Sequence, residues 1–199
     1  MALRSLSVPR SPGQLDTTWL RAALRGTSVD TDALRGVRYE PLAVQGLFTQ
    51  LVRLHLDLDT GSGDAAAPGT LVAKLSSADD ATIRHYARFY EREVRFYRTL
   101  ASDLVPYVPR CHVAHFDAAT NAHILILEDL AIMRAGQIEH ALEPDDALGV
   151  IATLAKVHAR WWDAPSLEAL RRDYPPHGNR FAAGYERSLE AGCSLFGPY

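Results

Sequence analysis

The 199-residue sequence contains only two cysteines and no long hydrophobic run. Cys111 and Cys193 are too few and too far apart for a disulfide framework or a cysteine-rich metal site, so we expect reduced thiols in a cytoplasmic protein. No apolar stretch approaches the ~20 residues of a membrane-spanning helix, and the N-terminus lacks the apolar core of a signal peptide. The net charge of −3 gives no basis for nucleic-acid binding. We therefore expect a globular protein that binds neither membrane nor nucleic acid.

Lysine is also scarce, since it accounts for two of the 21 basic residues and arginine for the other 19. One of the two, Lys74, lies inside the apolar run Leu71–Leu75, which predicts a buried strand. A charge in such a strand is costly unless it is paired or contacts a ligand. The compact lysine ammonium suits a phosphate oxygen. The alternative is a lysine at the end of a strand that extends its amine to water.

The segment after this strand predicts one long helix from Asp79 to Leu100, with Asp79 or Asp80 as its cap. Glu93 is the single charged residue on its regular face, and the other members of that face are Ile83, Tyr86, Tyr90, Tyr97 and Leu100. A buried carboxylate and a buried ammonium neutralise each other, so we predict an ion pair between Glu93 and Lys74. The pair is either purely structural or the strand-lysine and helix-glutamate pair that holds nucleotide phosphates in kinase-like folds.

The remaining pattern predicts an α+β fold in which one helix packs on a face of an antiparallel sheet. Residues 1–14 indicate a loose arm, and a short helix follows from Asp16 or Thr17 to Gly26. Beyond residue 128 the pattern becomes helical, with an amphipathic helix at Ala147–Trp162 and shorter ones after Ser166 and at Phe181–Leu189. Besides the Lys74 strand, the predicted strands are Val37–Val44, Leu47–Leu58, Cys111–Phe116 and His123–Leu127.

Three segments, at residues 90–97 (YEREVRFY), 124–130 (ILILEDL) and 154–162 (LAKVHARWW), occur in an order and at distances typical of one family. Together they resemble the ecdysteroid-kinase-like and choline-kinase-like branch of the aminoglycoside phosphotransferase superfamily. The resemblance extends from about Trp19 to Trp162. It implies a protein-kinase-like fold with a nucleotide-binding N-lobe at residues 15–130. Residues 131–199 would then form the hinge and the first helices of an incomplete C-lobe.

The same resemblance implies that ATP binds between the two lobes. Lys74 would contact the α and β phosphates, with Glu93 as its helix partner. Gly46 would belong to the hairpin that covers the phosphates, where the chain departs from the family's glycine-rich loop and Thr49 replaces a second glycine.

The hinge implied by the resemblance consists of Glu128, Asp129 and Leu130, whose backbone groups would meet the edge of the adenine. Their side chains need not take part in binding. The acceptor would be a small hydroxyl-bearing molecule whose identity the sequence does not define.

No catalytic residue is assigned within the chain. Phosphoryl transfer requires a carboxylate for the acceptor hydroxyl and ligands for Mg²⁺, and the resemblance implies that both lie beyond residue 199. His115-Phe116-Asp117 and His177-Gly178-Asn179 resemble the family's His-x-Asp loop, but we interpret them as a turn and a loop. We interpret His158 as a core histidine. The chain is expected to bind ATP weakly and to transfer no phosphate, as part of a small-molecule phosphotransferase. The alternatives are a non-catalytic, pseudokinase-like regulatory module and a purely structural domain.

Overall fold

The computed structural model describes residues 6–43, 46, 48–59, 69–133, 142–168 and 170. The chain divides into two compact units, Met1–His140 and Ala141–Tyr199. The first unit contains helices α1 (Thr17–Ala23) and α2 (Asp80–Thr99) and five strands: β1 (Leu34–Pro41), β2 (Thr49–Leu58), β3 (Thr70–Ser76), β4 (Cys111–Asp117) and β5 (Ala122–Glu128). The predicted α+β class is confirmed, as are the predicted strands and the long helix, to within a few residues at their ends.

The five strands form one antiparallel sheet in the order β1-β2-β3-β5-β4. Side chains alternate between its two faces, because successive residues of a strand point in opposite directions. In β2 the residues of one face are buried and those of the other are mostly half-buried. We call the first face the arm face and the second the helix face.

The arm face carries the larger part of the core. Leu54, Leu71, Ile124 and their neighbours pack against α1 and the segment before it, where Leu20 is fully buried. The Asp16 carboxylate caps α1 by accepting a hydrogen bond from the Trp19 amide at 2.7 Å.

The first residues of the described chain pack more closely than a loose arm would. Val8 is buried, and the Arg10 carbonyl accepts a hydrogen bond from the Gln50 side chain of β2 at 3.1 Å. The Arg10 guanidinium also pairs with Asp80 at the start of α2. Residues 6–14 are therefore tied to both β2 and α2.

Helix α2 covers the β4–β5 end of the helix face. Its cap is Asp79, whose carboxylate accepts from the Thr82 amide at 2.7 Å, as predicted. The helix buries Ile83, Tyr90 and Val94, and Val94 packs on residues of β5. Val94 was not part of the predicted face, so the buried stripe is rotated slightly and Glu93 lies at its margin.

The second unit begins with α3 (Pro144–Trp161), where an amphipathic helix was predicted. No residue of α3 is buried, and Leu148, Ile151 and Leu154 on its apolar stripe are exposed. His158 is exposed as well, so its interpretation as a core histidine was wrong. A single turn of 3-10 helix follows at Pro165–Leu167, and the predicted helix at Phe181–Leu189 lies outside the described residues. Within the described parts of the chain, no helix is long and apolar enough to cross a membrane.

Candidate functional site

The predicted ion pair between Lys74 and Glu93 is present on the helix face. Lys74 Nζ donates a hydrogen bond to Glu93 Oε1 at 2.6 Å. The two side chains are 24% and 31% exposed, so both are shielded but neither is sealed from solvent. A lysine ammonium has three donors, and a shielded pair that still reaches solvent is accessible to an anionic ligand.

The alternation of β3 explains the position of Lys74. Leu71, Ala73 and Leu75 fill the arm face, which directs Lys74 to the opposite side of the sheet. There it lies between Leu51 of β2 and Leu125 of β5, its partners in the two neighbouring strands. Because α2 packs over β5, its fourth turn brings Glu93 to the lysine.

A buried histidine beneath the pair was missed by sequence reasoning. His123 of β5 is fully buried, and its ring stacks on Tyr90 of α2 with ring centres 4.3 Å apart. Its Nε2 lies 4.0 Å from Glu93 Oε2, and its Nδ1 lies 3.0 Å from the hydroxyl of buried Ser76. Burial, and secondly the charge of Lys74, lower the pKa of His123 to about 3. The available signal was the position of this histidine at the start of the otherwise apolar run His123–Leu127.

Gly46 lies against Thr49, the first residue of β2. A Cβ placed on Gly46 would be 1.9 Å from Thr49 Oγ1, so any larger residue here would require the Thr49 side chain to move. Thr49 itself is buried. The intervening Phe48 is held by α2, because its ring stacks on Tyr86 at 4.1 Å and its carbonyl accepts from the Tyr90 hydroxyl. The end of the hairpin is thus anchored to the helix that carries Glu93, while its contact with phosphate stays a prediction.

Protein groups already engage the side chains of the predicted hinge. Glu128 accepts a hydrogen bond from the Arg110 amide at 3.0 Å. The Asp129 carboxylate accepts from Arg53 Nε at 2.7 Å and from the Ala131 amide at 3.0 Å. Leu130 is 43% exposed. The two carboxylates therefore have structural partners, and ligand contact by this segment would involve its backbone, as the sequence interpretation expected.

Arg53, which sequence reasoning also missed, links the hinge to the far edge of the sheet. Its guanidinium contacts Asp129, whose side chain is 6% exposed, and lies 3.8 Å from Glu40 of β1. Burial alone would raise the pKa of Asp129, but hydrogen bonds from Arg53, Thr70 and Ala131 lower it below its ordinary value. The hydrogen bond from Asp129 in turn raises the pKa of Arg53.

We expect Asp129→Asn to lower the free energy of unfolding at pH 7 by about 1–2 kcal/mol, because a charge-assisted hydrogen bond to a shielded carboxylate is lost. The folded-state pKa of Asp129 is lowered, so its contribution is present at neutral pH and disappears as pH falls through that pKa. Urea unfolding of both proteins checks the difference. Asp59→Asn is the matched control, since its pair with Arg35 is about half exposed and is expected to contribute less.

The remaining sequence candidates are the two segments that resemble a His-x-Asp loop. Asp117 accepts hydrogen bonds from the Ala119 amide and the Thr120 hydroxyl in the turn before β5, so the turn interpretation of residues 117–121 is confirmed. The segment at His177 lies outside the described residues. Among described residues there is no cluster of three or more histidine, cysteine, aspartate or glutamate side chains arranged to hold a metal.

Comparison of the chain with models of protein families, with characterised proteins and with solved structures found no match. The family resemblance therefore depends on the three sequence segments alone.

Proposed function

We propose that this chain binds ATP, with Lys74 on its phosphates, as the nucleotide-binding lobe of a small-molecule phosphotransferase. The observation that carries the proposal is the 2.6 Å contact between Lys74 and Glu93. The lysine lies on the third strand of the sheet and the glutamate on the next helix. Protein kinases carry their phosphate-binding lysine and its glutamate partner on the equivalent elements, the third strand and the helix after it.

The electrostatics of the pair support a ligand-binding role. Glu93 occupies one of the three donor directions of the Lys74 ammonium, and the exposed quarter of the side chain leaves room for a phosphate oxygen. A polyphosphate adds negative charge at a place where the lysine charge is already compensated. Mg²⁺ would be needed to offset that charge, and it is part of the proposal without an assigned protein ligand.

The helix face beside Lys74 is suited to the base of a nucleotide. Val72 precedes Lys74 by two residues on the same face and is half-buried, and Leu51 is the strand partner of Lys74. Leu127 of β5, a strand partner of Val72, continues this apolar strip towards the end of β5, and Arg53 borders it on the β2 side. A cation followed by an apolar strip matches a phosphate group followed by an aromatic base.

Calorimetric titration of the full chain with ATP, with and without Mg²⁺, tests the proposal. We expect saturable binding that Lys74→Met weakens about tenfold or more, which is the loss of one charge-assisted hydrogen bond at ~1.5–3 kcal/mol. Lys156→Met is the matched control, because it makes the same change at the only other lysine, on exposed α3. The control protein should bind like the wild type.

Equal affinities of the wild type and Lys74→Met would contradict the proposal and leave the pair a structural one. Binding should also raise the thermal midpoint in proportion to the logarithm of ligand concentration. Phosphorylation of small hydroxyl compounds is measured separately. ATP binding without transfer is the expected result and agrees with both the phosphotransferase lobe and the non-catalytic module, whereas transfer by this chain would contradict the expectation that the catalytic loop lies outside it.

A further inference from the structure

The ring of His123 presents a buried nitrogen to the back of the Lys74–Glu93 pair. Its Nε2 has no hydrogen-bond partner among the described residues, and the nearest oppositely charged atom is Glu93 Oε2 at 4.0 Å. An unsatisfied polar atom in a fully buried side chain is costly. A closure of about 1 Å would bring the two atoms to the ordinary hydrogen-bond distance of about 2.9 Å.

The contacts of Ser76 allow a proton on either ring nitrogen of His123, and the carboxylate that faces Nε2 favours a proton there. The Ser76 hydroxyl oxygen accepts from the main-chain amide of His123 at 2.6 Å. Its single hydrogen then has two acceptors within reach, Nδ1 of the same residue at 3.0 Å and the carbonyl of that residue at 3.3 Å. If the hydroxyl donates to the nearer Nδ1, that nitrogen is an acceptor and the neutral ring carries its hydrogen on Nε2. If the hydroxyl donates to the carbonyl, Nδ1–H donates to the hydroxyl oxygen and Nε2 has no hydrogen. The first tautomer directs an N–H at a carboxylate, whereas the second would direct a lone pair at it.

We infer that His123 is a positioning residue of the nucleotide site, which donates from Nε2 to Glu93 Oε2 and thereby holds the carboxylate that orients Lys74. Glu93 would then be held from both sides, by the ammonium at Oε1 and by the imidazole at Oε2. This matters when a phosphate draws the ammonium away, because the imidazole keeps the carboxylate in place. The consequence for nucleotide affinity rests on the proposed ATP binding, but the hydrogen bond itself does not.

The first test measures the tautomer in the wild-type chain, without any ligand or variant. Long-range ¹H–¹⁵N correlation spectra at pH 7 distinguish Nε2–H from Nδ1–H. We expect His123 to be neutral in the wild type, with its hydrogen on Nε2. In Glu93→Gln the Nε2–H signal should shift, because the carboxylate is lost. In Ser76→Gly we expect a mixture of the two tautomers. A pure Nδ1–H form in the wild type would overturn the inference.

The second test measures ATP affinity in two variants of His123. His123→Phe keeps a ring against Tyr90 but removes both nitrogens, and we expect affinity to fall about tenfold, as for other residues that orient a ligand-binding group. His123→Gln restores a donor near the position of Nε2 and should recover most of the loss. Ile124→Val, a change at the adjacent buried residue on the arm face, controls for small losses of core packing and should bind normally.

The outcomes separate this inference from the proposed function. No ATP binding by the wild type would refute the proposed function, while the tautomer spectrum would still decide the hydrogen bond. Normal binding by a folded His123→Phe would refute the positioning role even if Lys74→Met abolishes binding. Loss of binding in His123→Phe without recovery in His123→Gln would also count against it, because the donor would then not be the cause.

Discussion

Lowering the pH from 7 to 4 should destabilise the wild-type protein by about 3 kcal/mol more than His123→Phe, because one pKa unit corresponds to ~1.4 kcal/mol. The pKa of His123 is about 3 in the folded state and about 6.5 in an unfolded chain. Below pH 6.5 the unfolded state therefore binds a proton that the folded state does not. The free energy of unfolding therefore decreases as the pH is lowered from 6.5, and this decrease levels off near pH 3. At neutral pH His123 makes no such contribution, because it is unprotonated in both states.

The size of this effect follows from the surroundings of His123. The ring is fully buried, and the charge of nearby Lys74 further opposes protonation. Among the described residues, Glu93 at 4.0 Å is the group facing the ring that would favour the charged form, but it is already paired with Lys74. Tyr90 and Ser76, which also contact the ring, are uncharged at these pH values.

Urea unfolding of both proteins at pH 7, 6, 5 and 4 measures the effect. The difference between the two stability curves isolates His123, because all other titrating groups are common to both proteins. These include the groups with lowered pKa values, namely His112, His115, Asp79, Asp117 and Asp129. Any packing change caused by phenylalanine shifts one curve by a constant. Parallel curves would contradict the prediction, because they would show that His123 has the same pKa in the folded protein as in the unfolded chain.

Local sequence pattern was sufficient to predict most of the sheet and its main helix. The alternation Val52, Leu54, Leu56 in β2 was confirmed as a buried face, and Asp79 was confirmed as the cap of α2. The Lys74–Glu93 contact was predicted because each charge lies in an apolar setting that requires a partner. Each of these features is encoded within one element or two consecutive ones.

The missed features depend on contacts between elements that are distant in sequence. His123 faces Glu93 because β5 inserts beside β3, and Arg53 meets Asp129 across 76 residues. Val94 is buried although it was not part of the predicted stripe, because it packs on Leu125 and Leu127 of β5. Strand order and helix orientation are set by the whole core, so a single-sequence pattern cannot supply them.

Replacing Tyr90 by alanine should lower the free energy of unfolding by about 3–5 kcal/mol, the range for removing a buried aromatic side chain. Tyr90 is fully buried, and it joins three parts of the site: its ring stacks on His123, its backbone is in α2, and its hydroxyl donates to the carbonyl of Phe48. Urea unfolding at pH 7 measures the loss. Phe89→Ala is the control, since this neighbouring aromatic is 53% exposed and should cost far less. Equal losses in the two variants would contradict the central position of Tyr90.

The milder variant Tyr90→Phe separates packing from the link to the hairpin. The ring and its stack on His123 remain, so global stability should fall by only about 1–2 kcal/mol. This is the contribution of the hydrogen bonds that the hydroxyl donates to the Phe48 carbonyl and accepts from the Ser77 amide. The Phe48 carbonyl, however, loses its donor, so the start of β2 should open more often. We therefore expect faster amide hydrogen exchange at Thr49 and Gln50 than in the wild type, with little change in β4. Uniformly faster exchange in both strands would mean that the hydroxyl supports the whole fold. A change confined to β2 would mean that this hydrogen bond, together with the stack of Phe48 on Tyr86, holds the hairpin on α2.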